Sequence, residues 1–133
     1  SEIDLDSTGQ GTIVKTLIPV MKCSHTRSGY SMVVDWVLDK TGKGESHYLG
    51  ALFKDNAKTG KSKMVVSMKL ERNSVADIVA NPIRDGFSGV SGKRSLDLTV
   101  YNKKSVMGGF SSVLNYATTG EVRKISLACQ YLR

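Results

Sequence analysis

Apolar and polar residues alternate with a period of two along much of this chain. In the clearest case Met64, Val66, Met68 and Leu70 are separated by mostly polar residues, the spacing of a strand with one buried face. Such alternation, or a high content of β-branched residues, predicts six strands. They cover residues 12–23, 30–38, 45–54, 63–71, 95–101 and 125–131.

Two short polar segments between predicted strands are typical of hairpin turns. Residues 39–44 and 55–60 contain Gly, Asn and Asp, the residues that tight turns use where the backbone needs a positive φ. The strands on either side are therefore expected to be antiparallel neighbours. This predicts a meander from about residue 30 to residue 71.

Two other segments show helical spacing and predict short helices. Ser74 precedes an apolar i, i+3, i+4 pattern that stops at Pro82, as in a helix of about two turns. Residues 105–117 also place apolar side chains at helical spacing, although two glycines in that segment disfavour a helix. The glycine-rich segment 85–92 between them is predicted to be a loop.

These elements predict one mainly β domain over residues 1–133. The chain has 40% hydrophobic and 23% charged residues, enough to form a core without metal ions or disulfide bonds. The expected fold is an antiparallel β-sandwich or a small β-barrel with one or two short helices. Jelly-roll and oligonucleotide-binding arrangements both remain open.

The cysteines and the chain start bear on the cellular compartment. Two cysteines, Cys23 and Cys129, are too few for a disulfide scaffold, and both are expected to be reduced unless the first and last strands prove to be neighbours. No apolar run approaches the ~18 residues of a membrane span, and the acidic start is unlike a secretory signal. The sequence predicts a soluble domain, intracellular or virion-associated rather than secreted.

Candidate catalytic and metal-binding motifs fail on spacing or context. The segment 58–62 resembles the end of a phosphate-binding loop, but Asp55 occupies the position where that motif requires glycine. A zinc site at Cys23 and His25 needs His47 and Cys129 from distant strands, and the chain has no GxSxG motif. We therefore expect no enzyme activity, cofactor, metal ion or small-molecule substrate.

The charge of the chain says more about function than these motifs do. Nineteen Lys and Arg against twelve Asp and Glu give a net charge of +7, and three of the acids lie in the first fourteen residues. The basic residues cluster at predicted turns and strand ends, which predicts a phosphate-binding surface. The candidate residues are Lys54, Lys58, Lys61, Lys63, Lys93, Arg94, Lys103, Lys104, Arg123 and Lys124.

This surface predicts a non-enzymatic protein that binds RNA or single-stranded DNA through its backbone and forms a homo-oligomer, as a small viral coat or nucleocapsid-like protein does. Lysines outnumber arginines, which favours phosphate contact over base-specific contact. Three alternatives remain: a matrix-like protein on an anionic membrane, a β-sandwich protein-interaction module, and lysines that only keep the domain soluble.

Overall fold

The computed structural model describes residues 2–5, 11–25, 27–40 and 44–133, and these residues form strands and turns without a helix. There are nine strands in them. They are β1 (Glu2–Leu5), β2 (Gly11–Ser24), β3 (Tyr30–Asp39), β4 (His47–Asp55), β5 (Ser62–Asn73), β6 (Ile83–Ser91), β7 (Arg94–Lys104), β8 (Phe110–Thr118) and β9 (Glu121–Tyr131).

The strands form one antiparallel sheet in chain order, and the sheet closes on itself. Each strand pairs with the next, and β2 also pairs with β9, so the eight strands β2–β9 make a ring. β1 pairs with the first residues of β2, and β9 pairs with its last residues. A sheet closed in this way is a barrel. The prediction of a mainly β domain with a meander through β3, β4 and β5 is confirmed.

The two predicted helices are wrong. Residues 74–82 form turns between β5 and β6, and the second segment forms a turn followed by β8. The turn contains Gly108 and Gly109, both with positive φ, and Val106, the first residue of the supposed apolar face, is fully exposed. From Ser112 the buried residues recur every second position, because β8 lies between β7 and β9 in the sheet.

The glycine-rich segment 85–92 is mostly strand β6 rather than a loop. Its glycines serve the packing of the sheet: a Cβ placed on Gly89 would lie 2.2 Å from the carbonyl oxygen of Lys69 on β5. Only Gly92, with a φ of 61°, belongs to the turn that leads into β7. Glycine here permits a close approach of two backbones, which sequence alone does not distinguish from a flexible loop.

The core fills the inside of the ring. Inward side chains from all eight ring strands contribute to it, as expected for an eight-stranded barrel, whose interior is just wide enough for side chains. The alternation seen in β5 is confirmed at Met68 and Leu70, which are buried, whereas Met64 at the start of that strand is 52% exposed. The largest fully buried side chains include Phe87, Met21, Met32, Leu52, Leu96, Leu98 and Leu114.

The two cysteines form a disulfide bond, so the prediction that both are reduced is wrong. Cys23 on β2 lies directly opposite Cys129 on β9, with 4.0 Å between their Cα atoms. The first and last strands of the ring are neighbours, and this brings together residues that are 106 positions apart in the chain. Both cysteines are fully buried.

Candidate functional site

The ring has two ends that differ in their connections. At one end, which we call the hairpin end, short connections join the strands, and their described residues are 25, 27–29, 56–61, 92–93 and 119–120. At the other, the loop end, the described connecting residues are 40, 44–46, 74–82 and 105–109, and the chain leaves the ring there after β9. Because the strands are antiparallel, every basic cluster at a strand end can be assigned to one end.

The predicted nucleic-acid-binding residues gather at the hairpin end, with two exceptions. Lys103 and Lys104 lie at the end of β7, which places them at the loop end. The remaining eight lie in or beside the hairpin-end connections: Lys54, Lys58, Lys61, Lys63, Lys93, Arg94, Arg123 and Lys124. Sequence clustering therefore identifies most of one cationic surface but includes two residues that the fold puts on the opposite side.

Contacts link part of this set into a continuous row. Arg94 Nη1 donates a hydrogen bond to the carbonyl oxygen of Val65 on β5, at 3.0 Å. Two residues before Val65 on that strand, Lys63 lies directly opposite Lys54 on β4. Lys54 Nζ in turn lies 4.1 Å from the centroid of the Tyr30 ring. Positive side chains from β7, β5 and β4 thus follow one another across the hairpin end.

Two more basic residues lie close to Tyr30 or line the cleft beside it. The Arg123 guanidinium lies 5.9 Å from the same ring centroid, and Lys124 follows it on β9. A cleft of about 380 Å³ opens here, lined by these basic side chains and by Arg27 of the β2–β3 connection. We call Arg94, Lys63, Lys54, Arg123 and Lys124, with Tyr30 between them, the cationic band.

Few carboxylates neutralise the band. Among the described residues the one ion pair at this end joins Arg123 to Glu121, at 3.1 Å, and this hydrogen bond raises the pKa of Arg123. Asp55 accepts a hydrogen bond from the Ser62 hydroxyl. Lys54 donates to the carbonyl oxygen of Ser28, which fixes the ammonium group without cancelling its charge.

The lysine-rich hairpin tip is ordered by its own hydrogen bonds. The Asn56 side-chain oxygen accepts from the backbone amides of Lys58 and Thr59, at 2.8 and 3.2 Å. The Asn56 carbonyl accepts from the amide of Gly60, whose φ is 70°. This turn holds Lys58 and Lys61 exposed to solvent beside the band, so the tip presents its charge from a defined backbone.

The aromatic residue in this cleft was not singled out from the sequence. Of the other tyrosines, Tyr116 is buried and Tyr48 lies at the loop end. Tyr30 is half-buried in the cleft between Lys54 and Arg123. Its position at the first residue of β3, next to a turn, is the signal available from the sequence.

A polar network at the loop end was also missed. Asp85 is buried and accepts two hydrogen bonds from Arg72, Nε to Oδ1 at 3.1 Å and Nη2 to Oδ2 at 2.7 Å. The Tyr131 hydroxyl donates to Oδ2 at 2.8 Å and the Gly86 amide to Oδ1 at 3.0 Å. Arg72 Nη1 donates to the Tyr48 hydroxyl at 3.1 Å. We call Arg72, Asp85, Tyr131 and Tyr48 the mouth network.

The network has a clear electrostatic effect on its members. The hydrogen bond to Asp85 raises the pKa of Arg72. Burial, followed by the hydrogen bond to Asp85, raises the pKa of Tyr131 well above its ordinary value. Both groups therefore keep their protons throughout the physiological range. A sequence signal existed: Arg72 continues the inward period of Met68 and Leu70, and a charged residue on a buried stripe requires a partner.

The four residues considered for a zinc site form a disulfide bond or local hydrogen bonds instead. Cys23 and Cys129 are bonded to each other. His25 Nδ1 accepts from the backbone amide of Arg27 at 3.1 Å, and His47 Nδ1 lies 3.0 Å from the Glu45 carbonyl oxygen. Within the residues that the structure describes, no group of His, Cys, Asp and Glu side chains is placed to hold a metal ion.

Comparison with known proteins gives no family. No protein family, curated protein or solved structure matches this chain. Nor does the described part of the chain contain a helix long and apolar enough to cross a bilayer. A functional proposal therefore depends on the two ends of the ring.

Proposed function

We propose that this protein binds RNA or single-stranded DNA non-enzymatically, through phosphate contacts along the cationic band. The observation that carries the proposal is the succession of cations from Arg94 to Arg123, with Lys124 lining the same cleft and one ion pair among the described residues. Closely spaced lysines and arginines displace the counterions of a nucleic-acid backbone, and this release drives binding.

The arrangement favours a single strand over a duplex. Tyr30 lies near Lys54 and Arg123, so a base that leaves its stack and displaces the Lys54 ammonium from the ring gains an aromatic face beside two phosphate-binding cations. Single-strand binding proteins combine a basic groove with such stacking residues. Lysine-dominated phosphate contact implies weak sequence preference.

The first test is the dependence of affinity on salt. With about five phosphates contacted, the logarithm of the binding constant for single strands falls with a slope near −3.5 against the logarithm of salt concentration. Between about 50 and 200 mM salt this is roughly a hundredfold loss. Fluorescence anisotropy with homopolymeric RNA and DNA measures it, and an affinity independent of salt contradicts the mechanism.

A pair of matched double variants locates the surface. Lys63→Glu with Lys124→Glu reverses two charges in the band, and Lys103→Glu with Lys104→Glu reverses the same charge at the loop end. We expect the first pair to weaken RNA binding by about tenfold or more and the second to change it less than about threefold. Equal losses would show that net charge, rather than the band, determines binding.

Self-association is part of the proposal. Among the described strands β1 pairs with β2 alone, and a strand with a free edge can pair with another chain. A coat or nucleocapsid-like role predicts that, on an RNA oligomer just long enough for one protein chain, light scattering measures complexes with two or more chains. A single chain on each oligomer would limit the function to binding.

A second candidate is attachment to an anionic membrane through the loop end. Val79 and Val106 at the tips of two loop-end connections are fully exposed, and Lys103 and Lys104 stand next to one of them. Exposed apolar tips beside lysines suit the surface of an acidic bilayer. Sedimentation with phosphatidylserine vesicles, together with absence of RNA binding, would favour this function over the first.

A further inference from the structure

The loop end holds a pocket that the proposed nucleic-acid function does not use. It has a volume of about 390 Å³, at the small end of the range for ligand sites. Tyr48, Arg72, Ser74, Ile78, Arg84 and Asp85 are among the residues that line it. Strand β5, strand β6 and the connection between them supply most of this wall.

The charges in the pocket do not balance. Asp85 accepts four hydrogen bonds, two of them from Arg72, so this pair is neutral and satisfied. Arg84 adds a second guanidinium. Its Nε atom is buried, and it has no hydrogen-bond partner among the described residues.

The position of Arg84 is nevertheless fixed. Its guanidinium carbon lies 4.1 Å from the centroid of the Phe110 ring, and the Lys104 ammonium lies 4.2 Å from the same centroid. β6 has an irregularity in its pairing between Ile83 and Asp85, which lets Arg84 as well as Asp85 line the pocket. A buried donor without a partner is unfavourable unless a ligand supplies the acceptor.

We propose that this pocket binds a small organic carboxylate with an apolar or flat body. The planar guanidinium of Arg84, which lines the pocket, carries terminal N–H groups that match the two oxygens of a carboxylate. Tyr48 and Ile78 offer aromatic and aliphatic surface for the rest of the molecule. The sequence predicts no small-molecule substrate, and the proposed ligand is bound without being converted.

The same chemistry favours a carboxylate over a phosphate monoester. A phosphate monoester carries nearly two negative charges at neutral pH. Among the residues that line the pocket, Arg72 is already paired with Asp85, which leaves the Arg84 guanidinium to balance one charge. Lys104 lies near the same Phe110 ring as Arg84 but does not line the pocket, so the second charge of a phosphate would have no cation of the lining to balance it.

The test uses benzoate, phenyl phosphate and neutral benzamide as probes on the intact protein. Trp36, the single tryptophan of the chain, has its ring centroid 4.7 Å from that of Tyr48, so its fluorescence reports on the pocket wall. Calorimetry supplies an independent affinity. We expect benzoate to bind about tenfold or more tightly than either other probe. Absence of benzoate binding, or a preference for benzamide or phenyl phosphate, overturns the proposal.

Variants assign the binding to Arg84. Arg84→Gln is expected to weaken benzoate binding by about tenfold or more, and Arg27→Gln, a matched change at the hairpin end, to leave it unchanged. Ile78→Asp adds a negative charge to an exposed pocket residue and is expected to abolish benzoate binding even if Arg84→Gln folds poorly. Unchanged affinity in Ile78→Asp, or in a folded Arg84→Gln, would show that benzoate binds elsewhere.

This result is independent of the nucleic-acid proposal. The Lys63→Glu and Lys124→Glu variant should bind benzoate as the unchanged protein does, since both lysines are at the hairpin end. Loss of RNA binding with benzoate binding intact, or the reverse, identifies which of the two proposals fails.

Discussion

At the scale of single residues, the mouth network shows how this fold accommodates charge inside a ring of apolar side chains. Asp85 is 5% exposed, and a carboxylate at that depth is unfavourable unless its oxygens are hydrogen-bonded. The groups that contact this carboxylate, from Arg72, Tyr131 and Gly86, all donate hydrogen bonds to it. The Arg72 guanidinium also lies 5.1 Å from the Phe87 ring centroid and 5.5 Å from that of Tyr48. Two aromatic rings therefore pack against the guanidinium that pairs with Asp85.

Replacing the carboxylate tests this arrangement. Asp85→Asn removes the charge that Arg72 requires, and we expect the free energy of unfolding to fall by about 2 kcal/mol. That is less than for a fully buried pair, because the Arg72 side chain is 37% exposed. Asp97→Asn, at an exposed position of β7, is the control and should change stability by less than about 0.5 kcal/mol. Urea denaturation of both variants measures the difference.

At the scale of elements, glycine decides where strands begin and how closely they approach. Gly109 and Gly120 both have positive φ, at 68° and 82°. Gly109 is the residue immediately before β8, and Gly120 is the residue immediately before β9. Their surroundings differ. A Cβ on Gly109 would lie 2.2 Å from the carbonyl oxygen of Cys129, whereas one on Gly120 meets nothing within 4 Å.

This pair separates backbone strain from packing. Gly120→Ala carries only the cost of a positive φ and should lower stability by about 1 kcal/mol. Gly109→Ala adds a collision with the backbone of β9 and should lower it by about 3 kcal/mol. Thermal unfolding monitored by circular dichroism gives both values. Equal losses would mean that the turn before β8 shifts easily away from β9.

At the scale of the whole molecule, the pairing of β2 with β9 closes the ring and allows a disulfide bond between the two strands. The Cys23–Cys129 bond spans 106 positions in the chain and lies in the core. Disulfide bonds of this kind persist in oxidising surroundings and are rare in the cytosol.

Removal of the disulfide should weaken the closure. For the Cys23→Ala and Cys129→Ala double variant we expect a loss of about 2–5 kcal/mol of stability, because the unfolded chain regains the freedom that the long cross-link removes. Denaturant unfolding of the variant, and of the unchanged protein with and without reductant, measures it. Native protein that loses the bond to mild reductant without unfolding would contradict the complete burial of both sulfur atoms.

The sequence determined the class of the fold and most of one surface. Period-two alternation and turn residues are local signals, so they located six strands and the hairpins of the meander. Net positive charge and its clustering at turns are also local, and they identified eight residues of the hairpin end. β6 and β8 were missed because glycines and helical spacing imitate other structures over short windows.

Only the tertiary structure decided which distant residues meet. The disulfide, the position of Tyr30 in the cationic band and the partners of Asp85 all depend on closure of the ring, which no local pattern encodes. Closure depends on the combined twist and stagger of eight strands. For that reason the sequence showed that charges cluster, while the fold determined that Lys103 and Lys104 lie at one end and the band at the other.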